Sequence, residues 1–157
     1  MEKNKTKKLA EIVATGFYTG YSSVAPGTVG TLLVGIPLFL ILYGLPVSVY
    51  GALSVGLFGV GCKVSDIVEE ESGKEDPSEI VIDEIVGYLV AAIGFTVNMY
   101  SIAISFLAFR FFDIFKPWPV RDVETQLHKG LGIMADDVVA GLYANILTRL
   151  IIDLFLR

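Results

Sequence analysis

Hydrophobic residues run along this chain in long stretches that few charged positions interrupt. No Asp, Glu, Lys or Arg occurs from Ile12 to Cys62, and none occurs from Ile85 to Phe109. Charged residues stand instead where apolar segments begin or end, and they include acidic pairs. The pattern predicts apolar helices whose ends carry the polar chemistry, at Asp83, Glu84, Arg110, Asp113, Asp136 and Asp137.

The first part of the chain predicts an irregular segment followed by two apolar ones. Residues 9–31 are rich in Gly, Ser and Thr, and Pro26 with the nearby glycines indicates turns. Apolar stretches follow at about 29–43 and 47–62, and each is shorter than the roughly 20 residues that cross a bilayer. The pattern leaves open whether 12–62 crosses a membrane twice or forms a re-entrant hairpin.

The second part of the chain predicts three more helices around one polar stretch, residues 63–84. Asp76, Pro77 and Glu79 have the order of an N-cap, a first-turn proline and an N3 acid. This order predicts a helix from Pro77 to about Thr96. A second helix is expected at about 99–116, where Lys116-Pro117 ends it, and a last one from Asp137 to Phe155. The expected fold is an all-α, membrane-embedded bundle of about four to five apolar helices.

Composition agrees with one membrane-embedded domain covering residues 1–157. Hydrophobic residues make up 54% of the chain, and its net charge of −5 offers no basic stripe for nucleic acid. The lone Cys62 excludes an internal disulfide and indicates a buried, inert thiol. Four lysines within residues 3–8 predict a cytoplasmic N-terminus, as in a multi-pass protein of a bacterial inner membrane. By the same rule 63–84 and 116–136 are cytoplasmic, which places the acidic positions at one interface.

Each acidic pair has a structural reading beside a functional one. Asp83 and Glu84 could be a solvated helix entrance, and adjacent helix residues point about 100° apart, so we expect only one to face a given partner. Asp136 and Asp137 could be an N-cap and a first-turn acid of the last helix. Capping needs one of them, however, whereas neighbouring carboxylates suit a hard cation such as Mg²⁺.

Arg110 and Asp113 share a helix face, and Lys116 follows one turn later. A self-contained ion pair would need only the first two. The added lysine favours a site that holds anionic oxygen through cations and through a metal on Asp113, because charges at membrane depth usually mark function.

Weaker candidates for binding are a turn and a histidine. The turn Pro26–Thr31, with Thr28, could offer backbone amides to phosphate, although a plain turn is the simpler reading. His128 could act as a base or be an ordinary loop residue. The common phosphatase signatures are missing: no Cys has an Arg six positions on, no Asp-x-Asp occurs, and one histidine cannot form a two-histidine site. The remaining hydrolytic chemistry is water activated by a metal.

Four segments in the same order resemble the phosphatidylglycerophosphatase A family. They are APGTVGT at 25–31, EIVIDEIVGY at 79–88, FRFFDIFKPWPVR at 109–121 and HKGLGIMADDVVAGL at 128–142. The resemblance covers nearly the whole chain. It implies a Mg²⁺-dependent membrane hydrolase that removes the terminal phosphate of phosphatidylglycerophosphate, leaving phosphatidylglycerol.

The resemblance also implies roles for particular residues. The expected metal ligands are Asp83, Glu84, Asp113, Asp136 and Asp137. The expected catalytic residues are Asp83, Arg110, Asp113, Lys116 and Asp136. The candidate substrate-binding residues, Thr28, Arg121 and His128, are taken from the sequence pattern and not from the resemblance. A rival reading is a non-enzymatic membrane module, such as a cation transporter subunit or scaffold, which predicts charges spread through membrane depth. Oligomeric state stays open.

Overall fold

The computed structural model describes residues 2–155, with side chains described for 4–123 and 126–155. Within this part every regular element is helical and there is no strand, which confirms the all-α prediction. The helices are α1 Glu2–Ala14, α2 Pro26–Gly30, α3 Ile36–Leu42, α4 Val47–Ser72, α5 Ile82–Ala92, α6 Met99–Phe115, α7 Val120–Gln126 and α8 Lys129–Phe155, with a 3₁₀ turn at Thr19–Tyr21 and a π-helical stretch at Thr31–Gly35.

Helix α5 begins at Ile82, so the start predicted at Pro77 is wrong. Asp76 has a left-handed φ of 45° and cannot act as the predicted N-cap. The Val81 N–H donates to the Ala14 carbonyl over 2.9 Å, which ties this segment to the end of α1. This tertiary hydrogen bond therefore overrides the local sequence pattern that predicted a helix start at Pro77. The helix also ends earlier than predicted, since Gly94 turns the chain with a φ of +78°.

Helix α8 begins at Lys129, eight residues before the predicted start at Asp137. Its first turn is fixed by α4, because the Gly130 N–H donates to Asp66 Oδ1 over 2.8 Å. Asp136 and Asp137 consequently lie inside the helix, and the reading of this pair as a helix cap is wrong.

Helix α4 extends ten residues past the predicted end at Cys62, to Ser72, so the first half of the polar stretch 63–84 is helical. This extension carries acidic side chains beyond the apolar part of the helix. It also brings α4 beside α1, where Lys7 Nζ lies 2.6 Å from Glu71 Oε1.

Helix α5 forms the centre of the bundle and packs most closely against α8. A Cβ added at Gly141 of α8 would overlap the Gly87 carbonyl of α5, so the two backbones touch. Gly141 therefore lies on the face of α8 that contacts α5. Farther along, the Asn145 side-chain amide donates to the carbonyls of Ala91 at 2.9 Å and Ile93 at 3.0 Å.

Among the described residues, two helices are long and apolar enough to cross a bilayer, α4 and α8. This is fewer than the four to five apolar membrane helices that were predicted, because α5 has 11 residues and α6 has 17. In the apolar 18-residue stretch of each helix, only 17% of α4 and 22% of α8 is buried inside the protein. Both helices therefore expose a largely apolar surface.

Candidate functional site

A cavity of about 560 Å³ lies at one end of the bundle, where α2, α5, α6 and α8 meet the extended end of α4. Its walls include most of the residues predicted from the sequence: Asp83, Glu84, Arg110, Asp113, Lys116, His128, Asp136 and Asp137. The structure thus brings together charged groups that are up to 54 positions apart in the chain. Thr28 and Arg121 do not line the cavity.

Three carboxylates form the tightest group in this cavity. One oxygen from each of Asp83, Glu84 and Asp137 lies within 4.8 Å of the other two. The expectation that only one member of the Asp83-Glu84 pair faces a common partner is therefore wrong. Both stand in the first turn of α5, and their side chains converge on the inward-facing Asp137 of α8.

Each of the three carboxylates has a buried oxygen that receives no hydrogen bond. Asp83 Oδ1, Glu84 Oε2 and Asp137 Oδ2 are inaccessible to solvent and accept no hydrogen bond. Burial, followed by the charge of Glu84, raises the pKa of Asp83 well above its ordinary value. Burial and the charge of Asp113 raise the pKa of Glu84 to about 7. Buried carboxylate oxygens without partners are costly, and a bound cation would offset that cost.

Two cations lie beside this trio, each in contact with a carboxylate. Arg110 Nη1 lies 2.6 Å from Asp113 Oδ2 and 3.6 Å from Glu84 Oε1. Lys116 Nζ donates to Asp136 Oδ2 over 2.7 Å. Asp113 and Asp136, both predicted metal ligands, are therefore ion-paired here. Five carboxylates and these two cations leave an excess of negative charge within the inner part of the cavity.

The donor set fits a hard divalent cation. Mg²⁺ prefers carboxylate oxygens and retains water molecules, and the trio offers three such oxygens beside an open cavity. The oxygens of the trio are enough to hold such a cation. Asp113 and Asp136 lie next to the trio, where they could contact water bound to the metal or the two cations that would bind a substrate.

The Gly-rich segment from Pro26 was predicted to be a turn, but it forms α2, which packs directly against this site. A Cβ added at Gly27 would overlap the Glu84 carboxylate, so a larger residue there would displace this carboxylate from its present position. The Thr31 hydroxyl donates to the Gly27 carbonyl over 2.8 Å and is buried. Pro26 and Gly27 line the cavity, whereas Thr28 is half-buried outside its wall.

The outer part of the cavity contains one predicted residue and others that the sequence did not assign to the site. His128, a predicted substrate-binding residue, is exposed at its edge, as is Lys129, whose Nζ lies 3.8 Å from Glu70 Oε1. Acidic residues of the polar stretch complete this outer part: Glu69, Glu75 and Asp76. The unusual polarity of 63–84 was their sequence signal, and Asp76 was expected only as an N-cap. Arg121 is exposed on α7, away from the wall.

The fold and the cavity define a class of protein: an all-helical chain with a buried carboxylate cluster and adjacent cations at one end of an apolar bundle. Residues 12–152 match the family described as Phosphatidylglycerophosphatase A. The chain belongs to this family.

Relatives with assigned names agree with that membership. The phosphatidylglycerophosphatase A of Haemophilus influenzae is 36% identical over 92% of this chain and 93% of its own length. That of Escherichia coli is 34% identical over 83% of this chain and 76% of its own. A Bacteroides thetaiotaomicron protein, named as a candidate phosphatidylinositol-3-phosphatase, is 39% identical over 88% and 91%. No solved structure matches the chain.

Proposed function

We propose that this chain is a membrane-embedded, Mg²⁺-dependent phosphatase that converts phosphatidylglycerophosphate to phosphatidylglycerol. The observation that carries the proposal is the buried trio Asp83, Glu84 and Asp137 beside two cations in one cavity. Membership of the phosphatidylglycerophosphatase A family supports the choice of substrate.

Asp83, Glu84 and Asp137 would hold the metal, with Asp113 and Asp136 close by. Magnesium bound there would neutralise charge on the phosphate oxygens and would lower the pKa of a bound water. Arg110 and Lys116 bind the phosphate oxygens and stabilise the charge that develops on the transferring group. To do so they share their N–H groups between the substrate and their present carboxylate partners. Gly27 keeps α2 against Glu84 and so fixes one wall of the site.

The apolar surface of the bundle supports placement in a bilayer. Large hydrophobic side chains are exposed along several helices, including Ile41, Val55, Leu107 and Leu154. A soluble protein rarely exposes so much apolar surface. With the helices in lipid, a diacyl substrate in the same bilayer could present its phosphate to the cavity at their ends. The bacterial cytoplasmic membrane, with the cavity on its cytoplasmic side, is the proposed location.

The rival proposal of a non-enzymatic ion path or scaffold has less support. It predicts charged groups at successive depths of the bundle. The charged residues of α5, α6 and the first half of α8 gather instead at one end, in the cavity. The named relatives are also lipid phosphatases by name.

The direct test is phosphate release by the purified protein in detergent. We expect inorganic phosphate from phosphatidylglycerophosphate in the presence of Mg²⁺, none in excess EDTA, and recovery when Mg²⁺ is restored. Phosphatidic acid, a monoester without the glycerol phosphate headgroup, tests substrate preference in parallel. Undiminished release in EDTA would rule out the metal-water mechanism, and release from neither lipid would contradict the phosphatase proposal.

A further inference from the structure

A second cavity, of about 480 Å³, lies at the opposite end of the bundle from the carboxylate site. It is bounded by the turn after α5, the first residues of α6 and the last turns of α8. Nothing in the proposed phosphatase chemistry uses it. Among the described residues of its wall, Arg149 is basic and Asp153 is acidic.

Arg149 is held in place by three contacts. Its Nε donates to Asn145 Oδ1 over 2.9 Å, and its Nη2 donates to the Ile93 carbonyl over 3.0 Å. Its guanidinium also lies 4.9 Å from the centre of the Phe95 ring. These two hydrogen bonds use two of the five guanidinium N–H groups. An exposed arginine that is already ordered loses little conformational entropy when it binds an anion.

Gly94 gives this arginine its space. A Cβ there would lie 2.8 Å from Arg149 Nη2, and the φ of +78° is one that other residues rarely adopt. The turn after α5 is thus shaped around the guanidinium group. Across the cavity, the N-terminal end of α6 begins at an Asn98–Ser101 capping box, and the helix dipole adds positive potential.

Along α6 the two cavities are about 15 Å apart between their nearest lining residues, Tyr100 and Arg110, and about 27 Å apart between Asn98 and Lys116. A hydrocarbon core is about 30 Å thick, so the two cavities approach opposite sides of a bilayer. If the bundle lies in a membrane, as in the proposed function on which this step rests, the second cavity faces the headgroups of the other leaflet. Tyr100, 65% exposed at its edge, suits such an interface.

We propose that this second cavity binds the headgroup of a phospholipid in the leaflet opposite the carboxylate site, with its phosphate on Arg149. The single guanidinium of Arg149 complements the single negative charge of a phosphodiester. A diester lipid such as phosphatidylethanolamine is therefore the expected ligand. Such a lipid has no terminal phosphate, so it is not a substrate for the phosphatase cavity.

A purely structural role for Arg149 would be to donate a hydrogen bond to the Ile93 carbonyl just after α5. Two variants separate this role from lipid binding. Arg149→Gln removes the cation. Thr96→Glu leaves Arg149 and its contacts with α5 intact but places a carboxylate in the cavity wall, where Thr96 is exposed. Lys8→Gln, which removes an exposed cation on α1, is the matched control.

The experiment is native mass spectrometry of the full chain in detergent, titrated with phosphatidylethanolamine, with thermal unfolding as a folding check. We expect a saturable one-lipid adduct in the wild type and in Lys8→Gln. Its dissociation constant should rise about tenfold or more, ~1.4 kcal/mol, in Thr96→Glu and Arg149→Gln.

Equal binding by wild type and Thr96→Glu would overturn the proposal. So would inorganic phosphate competing as well as the lipid, because the site would then be a simple anion site. Phosphate release is measured separately on the same samples. A wild-type protein that hydrolyses the substrate but forms no saturable adduct contradicts this inference alone. A wild-type protein that forms the adduct but releases no phosphate contradicts the proposed function alone.

Discussion

At the scale of single residues, the carboxylate trio lowers the stability of the fold while it serves the proposed function. Asp83, Glu84 and Asp137 bring like charges together where water does not reach all of their oxygens. Such an arrangement destabilises a fold unless protons or a cation offset it. A chain that only needed a stable bundle would have apolar residues at these positions, so the cluster supports the proposed cation site.

We therefore predict opposite effects of Asp137→Asn on activity and on metal-free stability. Phosphate release should fall by about 100-fold or more, the scale of losing one charge interaction with the transition state. The unfolding temperature without metal should stay equal or rise, because one buried charge is gone. Wild-type protein should gain ~2.7 kcal/mol of unfolding free energy at Mg²⁺ about 100 times Kd, and the variant much less.

Thermal unfolding in detergent with and without Mg²⁺ measures both quantities. The control is Glu70→Gln, which removes an acid that is 72% exposed on α4 outside the cavity wall. It should keep both activity and the response to Mg²⁺. An Asp137→Asn variant that keeps full activity would show that the trio does not hold the catalytic metal.

The Arg110–Asp113 pair allows a second test at this scale. Asp113→Leu alone leaves Arg110 only the longer 3.6 Å contact with Glu84, and we expect a loss of about 3 kcal/mol of stability. Adding Arg110→Met should recover stability at least partly, because apolar residues can replace a buried pair. Activity should stay lost in the double variant. Restored phosphate release there would reduce this pair to a structural role.

At the scale of elements, glycines let α8 approach α5 closely enough for their carboxylates to meet. Gly141 of α8 stands against the Gly87 carbonyl, one turn along from Asp137. Any added side chain must separate the two helices, and the separation would increase the distances between the carboxylates of the trio.

We predict that Gly141→Ala lowers phosphate release more than its effect on helix propensity would suggest. Alanine favours a helix over glycine by about 1 kcal/mol, so a purely local effect would stabilise α8. The backbone clash should instead lower the unfolding temperature. Gly59→Ala on α4 is the matched control, since a Cβ there meets nothing within 4 Å. An unchanged or more stable and fully active Gly141→Ala variant would contradict the close packing.

At the scale of the whole molecule, the protein has one strongly polar end. The end of α4, the turn before α5 and the start of α8 meet there around the cavity. The basic residues of α1 lie at the same end, as the Lys7–Glu71 contact shows. The opposite end has the second cavity and few described charges besides Arg149 and Asp153.

This polarity predicts the orientation of the protein in a bacterial inner membrane. In a chain without Cys62, Lys74→Cys and Lys129→Cys should resist an impermeant thiol reagent in intact cells and react after permeabilisation, because basic residues favour the cytoplasm. Tyr100→Cys, exposed at the opposite end, should react in intact cells. Labelling of Lys74→Cys or Lys129→Cys before permeabilisation would reverse the proposed topology.

The sequence by itself determined the helical class, the family and most of the charged residues that line the cavity, because charges that interrupt apolar segments are visible in any hydropathy pattern. It could not determine helix starts that tertiary contacts decide. Helix α5 begins late because Val81 pairs with Ala14, and α8 begins early because Asp66 receives the Gly130 N–H. Nor could it show that Asp137 joins Asp83 and Glu84 while Asp113 and Asp136 pair with cations. Those partnerships depend on how closely α5, α6 and α8 pack, and only the three-dimensional contacts of their backbones set that distance.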